Sequence, residues 1–299
     1  MRFYLDRILK LFPQYIIMVL LTALAIALFG RSKCIPFLSQ EITFSKLLLN
    51  ITLLPTNYVF HPLKIGILHP HPLVPPAWSL ATEFHFYLLL PFIFKLKKPY
   101  WFLLLLFSLS IQFASFFFDS GHFHSGNFGY RFIVSVLAIF LYGFSFSLIN
   151  DKFYKFATFF IWIAYTVFTF VISPASDIWS NRFVQEILIG GFISLFLGYY
   201  FTSLQIKSGF FKHIDNFLGN LAYPMFISHF LAFYLVEKAL KVSLVEREIF
   251  YVASILLCLV ISYLLHLFQE RIESYRIKVR GFPSLKTVQQ EISSSAIQL

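Results

Sequence analysis

The chain has 299 residues, of which 58% are hydrophobic, 20% aromatic and only 13% charged, and its formal net charge is +10. A soluble domain carries roughly 25% charged residues, so this composition excludes an ordinary water-soluble fold and specifies a membrane protein. The positive charges sit in short clusters between apolar runs and form no continuous basic face, which argues against nucleic acid as a partner and for a lipid bilayer.

A helix needs about 20 apolar residues to cross the hydrocarbon core. Runs that meet this are 13–30, 78–94, 100–118, 131–149, 153–173, 183–202, 217–236 and 248–268. They predict an all-α, polytopic transmembrane helix bundle with about eight spanning helices. The first run follows Arg2, Arg7 and Lys10 like a signal peptide, but no small-residue cleavage site closes it, so it reads as a retained helix. Residues 31–77 form a long outer connection. Its apolar piece Thr43–Pro55 is too short to span and reads as interfacial or re-entrant, and Pro55, Pro62, Pro70, Pro72, Pro75 and Pro76 bar regular helix after it. The helix bundle thus occupies 1–268, and 269–299 reads as a polar cytoplasmic tail.

Alternating sides from a cytoplasmic N-terminus places fifteen of the 24 Lys and Arg residues on the inner side. They include Lys95, Lys97 and Lys98, then Lys152 and Lys155, Lys207 and Lys212, and the cluster after Arg271. Both termini are therefore expected in the cytoplasm. Cys34 and Cys258 lie too far apart in character, one in a loop and one in an apolar run, to predict a disulfide.

Ionisable groups inside a spanning helix are expensive and mark either function or an inward polar seam. Ser79, Glu83 and Tyr87 recur at i, i+4 and i+8, so they share one helical face, with Phe86 beside them and Trp78 at the outer boundary. His229 lies near the middle of its run, where an imidazole can both give and take a proton or simply bond across helices. Tyr223 offers a hydroxyl on the same segment, and Pro224 frees a backbone carbonyl there. Arg7 and Lys10, at i and i+3, present two cations on one face. The spacing fits a phosphate clamp, though spacing alone favours ordinary inner-side charge. Arg131 and Arg182 stand at outer helix ends, where they can snorkel or meet an anionic glycan. Glu270 and Arg271 could pair at the inner end of the last helix. His61, His69, His71, His122 and His124 lack an accompanying Cys or carboxylate cluster, so no metal site is expected. No phosphate-binding glycine loop and no GxSxG elbow occurs.

These segments resemble the acyltransferase-3 family of bacterial membrane O-acyltransferases. PPAWSLATEFHFYLLLP is similar to the family's W-S-L-x-x-E-x-x-F-Y at Trp78, Ser79, Leu80, Glu83, Phe86 and Tyr87. FYLDRILKLFP looks like its third-helix entry, with Arg7 and Lys10 standing for a pair of arginines. GNLAYPMFISHF keeps Gly219, Tyr223 and His229 of another family segment and departs from it at Ala222 and Phe226. HLFQERIE echoes the end of the family's last helix through Glu270. The family has ten helices, and this chain starts at what resembles the third, so the family's candidate catalytic histidine, in its first helix, has no counterpart by motif.

The resemblance implies transfer of an acyl group, usually acetyl, from acetyl-CoA or another acyl-CoA to a hydroxyl of lipopolysaccharide, exopolysaccharide or a lipid-linked saccharide at a bacterial inner membrane. Arg7 and Lys10 would hold the donor phosphates. Glu83, Tyr87, Tyr223 and His229 would position or deprotonate the acceptor hydroxyl, supported by Trp78, Ser79 and Phe86. No permanently bound cofactor is implied. A glycan or lipid transporter using Glu83 and His229 as a proton relay is the competing class, weakened by the absence of internal repeats. An inactive, truncated relative is the third.

Overall fold

The computed structural model describes residues 2–58, 72–119, 124–148, 152–172, 181–203, 209–240 and 247–280, and every regular element among them is helical. The helices are α1 (Arg2–Phe29), α2 (Phe44–Ile51), α3 (Ala77–Ile93), α4 (Lys98–Phe118), α5 (Ile133–Leu148), α6 (Lys152–Ile172), α7 (Arg182–Ser203), α8 (Phe210–Leu240) and α9 (Arg247–Arg280). All but α2 correspond to the apolar runs of the sequence. Five of them, α1, α4, α6, α8 and α9, contain stretches long and apolar enough to cross a membrane, and α5 contributes the shorter apolar stretch Ile133–Gly143. Their outward faces carry large apolar side chains: Val171 is 77% exposed and Leu28 67%. Such surface is stable only against lipid or another protein. The chain is an all-α polytopic membrane protein.

Several helices begin or end beyond the apolar runs. α1 starts at Arg2, eleven residues before its apolar stretch, and α9 continues to Arg280, through much of what reads as a polar tail. The reason is that these polar turns pair with each other. Arg276 Nη2 lies 3.2 Å from Asp6 Oδ1, with both side chains almost wholly buried. The residues from 281 onward, and His61, His69, His71 and His122, lie outside the described residues.

The helices fall into two compact units. The first contains residues 1–52, 71–77 and 210–299. Within it, α8 and α9 form an antiparallel pair whose seam is polar and tight. Ser228 Oγ is 3.1 Å from Ser262 Oγ and 3.4 Å from Cys258 Sγ. Small hydroxyl-bearing residues let helix backbones approach closely in an apolar solvent. α1 packs on both, burying Tyr15, Met18 and Val19 completely, and stops at Gly30, whose φ of 75° closes the helix through Gly30 N–H to Ile26 O at 2.9 Å. The chain beyond Gly30 is fastened to α8: the buried Glu237 carboxylate accepts from the Ser32 hydroxyl, from Lys33 N–H at 2.8 Å and from Cys34 N–H at 3.3 Å. Lys238 Nζ donates to Arg31 O at 2.6 Å.

The expected interfacial piece is α2, eight residues capped by Thr43, whose hydroxyl accepts from Lys46 N–H at 3.1 Å. Its inner side is polar and satisfied. Tyr15 O–H donates to Asn50 O at 2.6 Å, the Asn50 amide accepts from Leu73 N–H at 2.8 Å, and Lys46 Nζ donates to Gln40 at 2.8 Å.

The second unit contains residues 53–70 and 78–209. Its helices α4 to α7 meet through a few side-chain bonds. Ser108 donates to Val134 O at 2.7 Å and accepts from Ala138 N–H at 2.8 Å, joining α4 to α5. Tyr165 of α6 donates to Gln112 of α4 at 3.1 Å. Asn181 caps α7 with its side-chain oxygen and donates to Asp119 at 2.9 Å and to Ser125 at 2.7 Å.

Candidate functional site

In the second unit the tryptophan segment occupies the first three turns of α3. Pro75 and Pro76 precede the helix and fix where it begins. Tyr87 O–H donates to the Glu83 carboxylate one turn earlier, so the i, i+4 spacing read from the sequence is a physical bond. Both residues are half-buried, Phe86 is buried, and its ring stacks on Phe140 of α5 at 4.7 Å. Ser79 sits half-buried one turn before Glu83. Between them Thr82, buried, donates toward Asn57 at 3.0 Å.

Trp78 does more than mark a boundary. Its ring lies 5.4 Å from Tyr130 and 5.0 Å beneath the Arg131 guanidinium, which also faces the rings of Tyr130 and Phe183. Arg131 donates to Gly126 O at 2.6 Å. A cation packed among three aromatic faces and a carbonyl is a structural element of the loop, so Arg131 does not snorkel. Arg182, by contrast, is exposed and pairs with Glu186 at 2.6 Å.

In the first unit, α1, α8 and α9 line a partly open cavity of about 270 Å³. It brings together Lys10 from α1 and Gly219, Tyr223 and Pro224 from α8, with His266 and Arg276 from α9. Five positions singled out by sequence, Lys10, Gly219, Tyr223, Pro224 and Glu270, thus line one cavity. Tyr223 O–H donates to Leu11 O at 2.8 Å, which pins α8 beside the cationic turn of α1.

Arg7 is not in the lining. Its guanidinium lies over Phe3 at 5.3 Å, with Nε 3.9 Å from Asp6 Oδ2. His229 is also absent from the lining; its Nδ1 is 3.3 Å from Met225 O, and its ring packs against Phe230 at 4.6 Å and Phe233 at 6.1 Å. Glu270 pairs with His266 Nε2 at 3.3 Å rather than with Arg271. His124 accepts from Gly126 N–H at 3.1 Å and so serves its own turn. Among the described residues no three His, Cys, Asp or Glu side chains converge on a metal-sized position, and neither cysteine is in a disulfide, Cys34 being exposed and Cys258 buried.

Sequence reasoning did not single out Gln14, His266, Gln269, Glu273 or Arg276, all of which line the cavity. A signal was present. Lys10 and Gln14 repeat Asp6 at four-residue steps on α1, and His266, Gln269, Glu273 and Arg276 follow a three-four spacing on α9, so each set forms one helical stripe. Reading the inner stretch of α9 as a tail hid the second stripe.

The acyltransferase domain family matches residues 1–267. A relative from Aquifex aeolicus (strain VF5), described as an uncharacterized protein, is 28% identical over 211 residues, which is 68% of this chain and 89% of that one. No solved structure matches. With most of its length covered, the tryptophan segment and the α1 and α8 walls of the cavity included, the chain belongs to the acyltransferase-3 family.

Proposed function

We propose that this membrane acyltransferase moves an acyl group, acetyl in the simplest case, from acyl-CoA to a hydroxyl of a cell-surface glycan or lipid-linked saccharide. The protein would reside in a bacterial inner membrane with both termini in the cytoplasm, where acyl-CoA is made. The observation that carries the reading is the cavity joining Lys10 of α1 to Tyr223 of α8. It couples a cation suited to a donor phosphate with the family segment around Gly219 and Tyr223. Arg7, one turn away, would add charge at the donor approach, and within the first unit Tyr223 would line the route of the acceptor hydroxyl, with His229 further along α8. Within the second unit, the hydrogen-bonded Glu83 and Tyr87 would position a hydroxyl. Trp78, Ser79 and Phe86 hold the Glu83 segment in place.

The chemistry required is modest. A thioester is already activated, so the protein must orient it against a hydroxyl and manage one proton. The test is radiolabelled acetyl-CoA supplied to inside-out membrane vesicles that contain the full chain. The reading expects label in the extracted glycan or lipid-saccharide fraction, lost in Lys10→Gln and in Glu83→Gln. Saccharide uptake without label transfer would favour a transporter instead.

A further inference from the structure

The cavity of the first unit holds a pair that the reaction above leaves unused. His266 and Glu270 stand one turn apart on α9, and both line the cavity with Lys10 and Tyr223. The Glu270 carboxylate lies 3.3 Å from His266 Nε2, while the imidazole side chain is only 12% exposed. A carboxylate at Nε2 favours the tautomer with its proton there, leaving the Nδ1 lone pair to act as a base. Among the described residues no hydrogen bond reaches that Nδ1.

Two further groups define what would occupy the cavity. Gln14 is 3% exposed and its Oε1 has no hydrogen-bond partner among the described residues. Gln269 Oε1 is likewise buried without a partner, although its Nε2 donates to Leu9 O at 3.1 Å. Buried carbonyls left without donors are costly. With Glu270 as a further acceptor and Arg276 Nε, unpartnered among the described residues, as a donor in the same lining, the cavity suits a ligand whose O–H groups both give and accept hydrogen bonds. About 270 Å³ has room for one saccharide ring, and the open side lets Lys10 meet a donor phosphate at its edge.

We infer that this cavity is the acceptor-hydroxyl subsite and that His266, oriented by Glu270, is the catalytic base. The inference rests on the acyl-transfer reading. The acceptor oxygen attacks the thioester carbonyl carbon as its proton passes to His266 Nδ1. The C–O bond forms, the C–S bond breaks, and the departing thiolate takes that proton from His266, giving ester and free thiol. Gln14 and Gln269 accept from neighbouring hydroxyls and hold the ring. Glu270 positions the base and is not itself consumed.

The experiment uses the full chain in proteoliposomes with acetyl-CoA as donor and octyl glucoside as hydroxyl probe, alongside vesicles carrying host glycans. His266→Ala is expected to lower kcat by about 10²–10⁴-fold with KM for acetyl-CoA unchanged. Added imidazole should restore part of that rate, which a purely structural histidine would not allow. Glu270→Gln, at a side chain 61% exposed and safe for folding, should slow turnover about tenfold, the effect of losing a hydrogen bond worth some 1.4 kcal/mol. Gln269→Leu should raise KM for octyl glucoside and leave KM for acetyl-CoA alone. Wild-type turnover in both His266→Ala and Glu270→Gln, or a slow His266→Ala chain deaf to imidazole, overturns the dyad while acyl transfer stands. A wild-type chain that acylates neither acceptor overturns the acyl-transfer reading, and the dyad falls with it.

Discussion

Arg276, near the end of α9, reaches Asp6 in the second turn of α1 at 3.2 Å, and both side chains are nine-tenths or more buried. The pair joins residues 270 positions apart in sequence and closes the first unit at the end where the cavity lies. Arg276 is shared with Glu273, on its own helix. Stranding a buried charge costs about 3–5 kcal/mol, and because Arg276 keeps Glu273 the loss of Asp6 falls toward the lower end of that range. Asp6→Leu is therefore expected to lower the thermal midpoint in detergent sharply. The double substitution Asp6→Leu with Arg276→Met should recover much of the loss, because matched apolar replacement removes the stranded charge. A double-mutant cycle on thermal unfolding measures it.

Glu237 supports the opposite end of α1. Its carboxylate receives Ser32, Lys33 N–H and Cys34 N–H together. Glu237→Ala leaves two backbone amides short of an acceptor, which costs about 1–3 kcal/mol. Cys34, exposed already, should react faster with maleimide as its loop loosens. Unchanged labelling kinetics would show that the carboxylate does not hold this loop.

Lys46 gives a pH dependence with a defined sign. Burial pushes its amine down from 10.5 to about 8, although it keeps a 2.8 Å bond to Gln40. Between about 8 and 10.5 the folded chain has released this proton while the unfolded chain retains it. Stability therefore rises with pH through that window, and the cost of holding a buried ammonium is fully present below it. Thermal midpoints measured from pH 7 to 10.5 should climb in the wild type and flatten in Lys46→Met.

Two glycines separate packing from propensity. A Cβ on Gly129 would collide with the Ser115 hydroxyl and stand 2.8 Å from the Phe116 ring, while one on Gly143 meets nothing within 4 Å. Gly129→Ala should destabilise by about 1–3 kcal/mol. Gly143→Ala, inside α5, should be neutral or stabilise by up to about 1 kcal/mol. Equal midpoints for the two variants would contradict the packing described for α4 and the loop before α5.

Much of this architecture is written locally. The apolar runs locate the eight longer helices among the described residues, five of them long and apolar enough to cross a membrane, and the prolines before Trp78 mark the start of α3. The Glu83 and Tyr87 pairing follows from one turn of helix. What escapes the sequence is long-range or depends on compensation. Hydropathy starts α1 too late and ends α9 too early, since a window average cannot know that Asp6 meets Arg276. Nothing local announces that Glu237 will serve residues 32–34, or that Arg131 will be held by Trp78 and Phe183. His229 stood out because it is polar in an apolar run, yet its ring lies among Phe230 and Phe233. His266, at the end of the apolar run 248–268 and one turn before Glu270, is the histidine that reaches the cavity.

The central claim is that the Lys10 and Tyr223 cavity serves an acyl-CoA-dependent transfer to a hydroxyl. Its most direct measurement is the initial rate of ester formation from labelled acetyl-CoA in vesicles holding the full chain, comparing wild type with Lys10→Gln. The account predicts labelled saccharide ester from the wild type and a Lys10→Gln variant whose KM for acetyl-CoA rises at least about tenfold, a loss of some 1.4 kcal/mol in donor binding. Ester formation with an unaltered KM in the variant would contradict it.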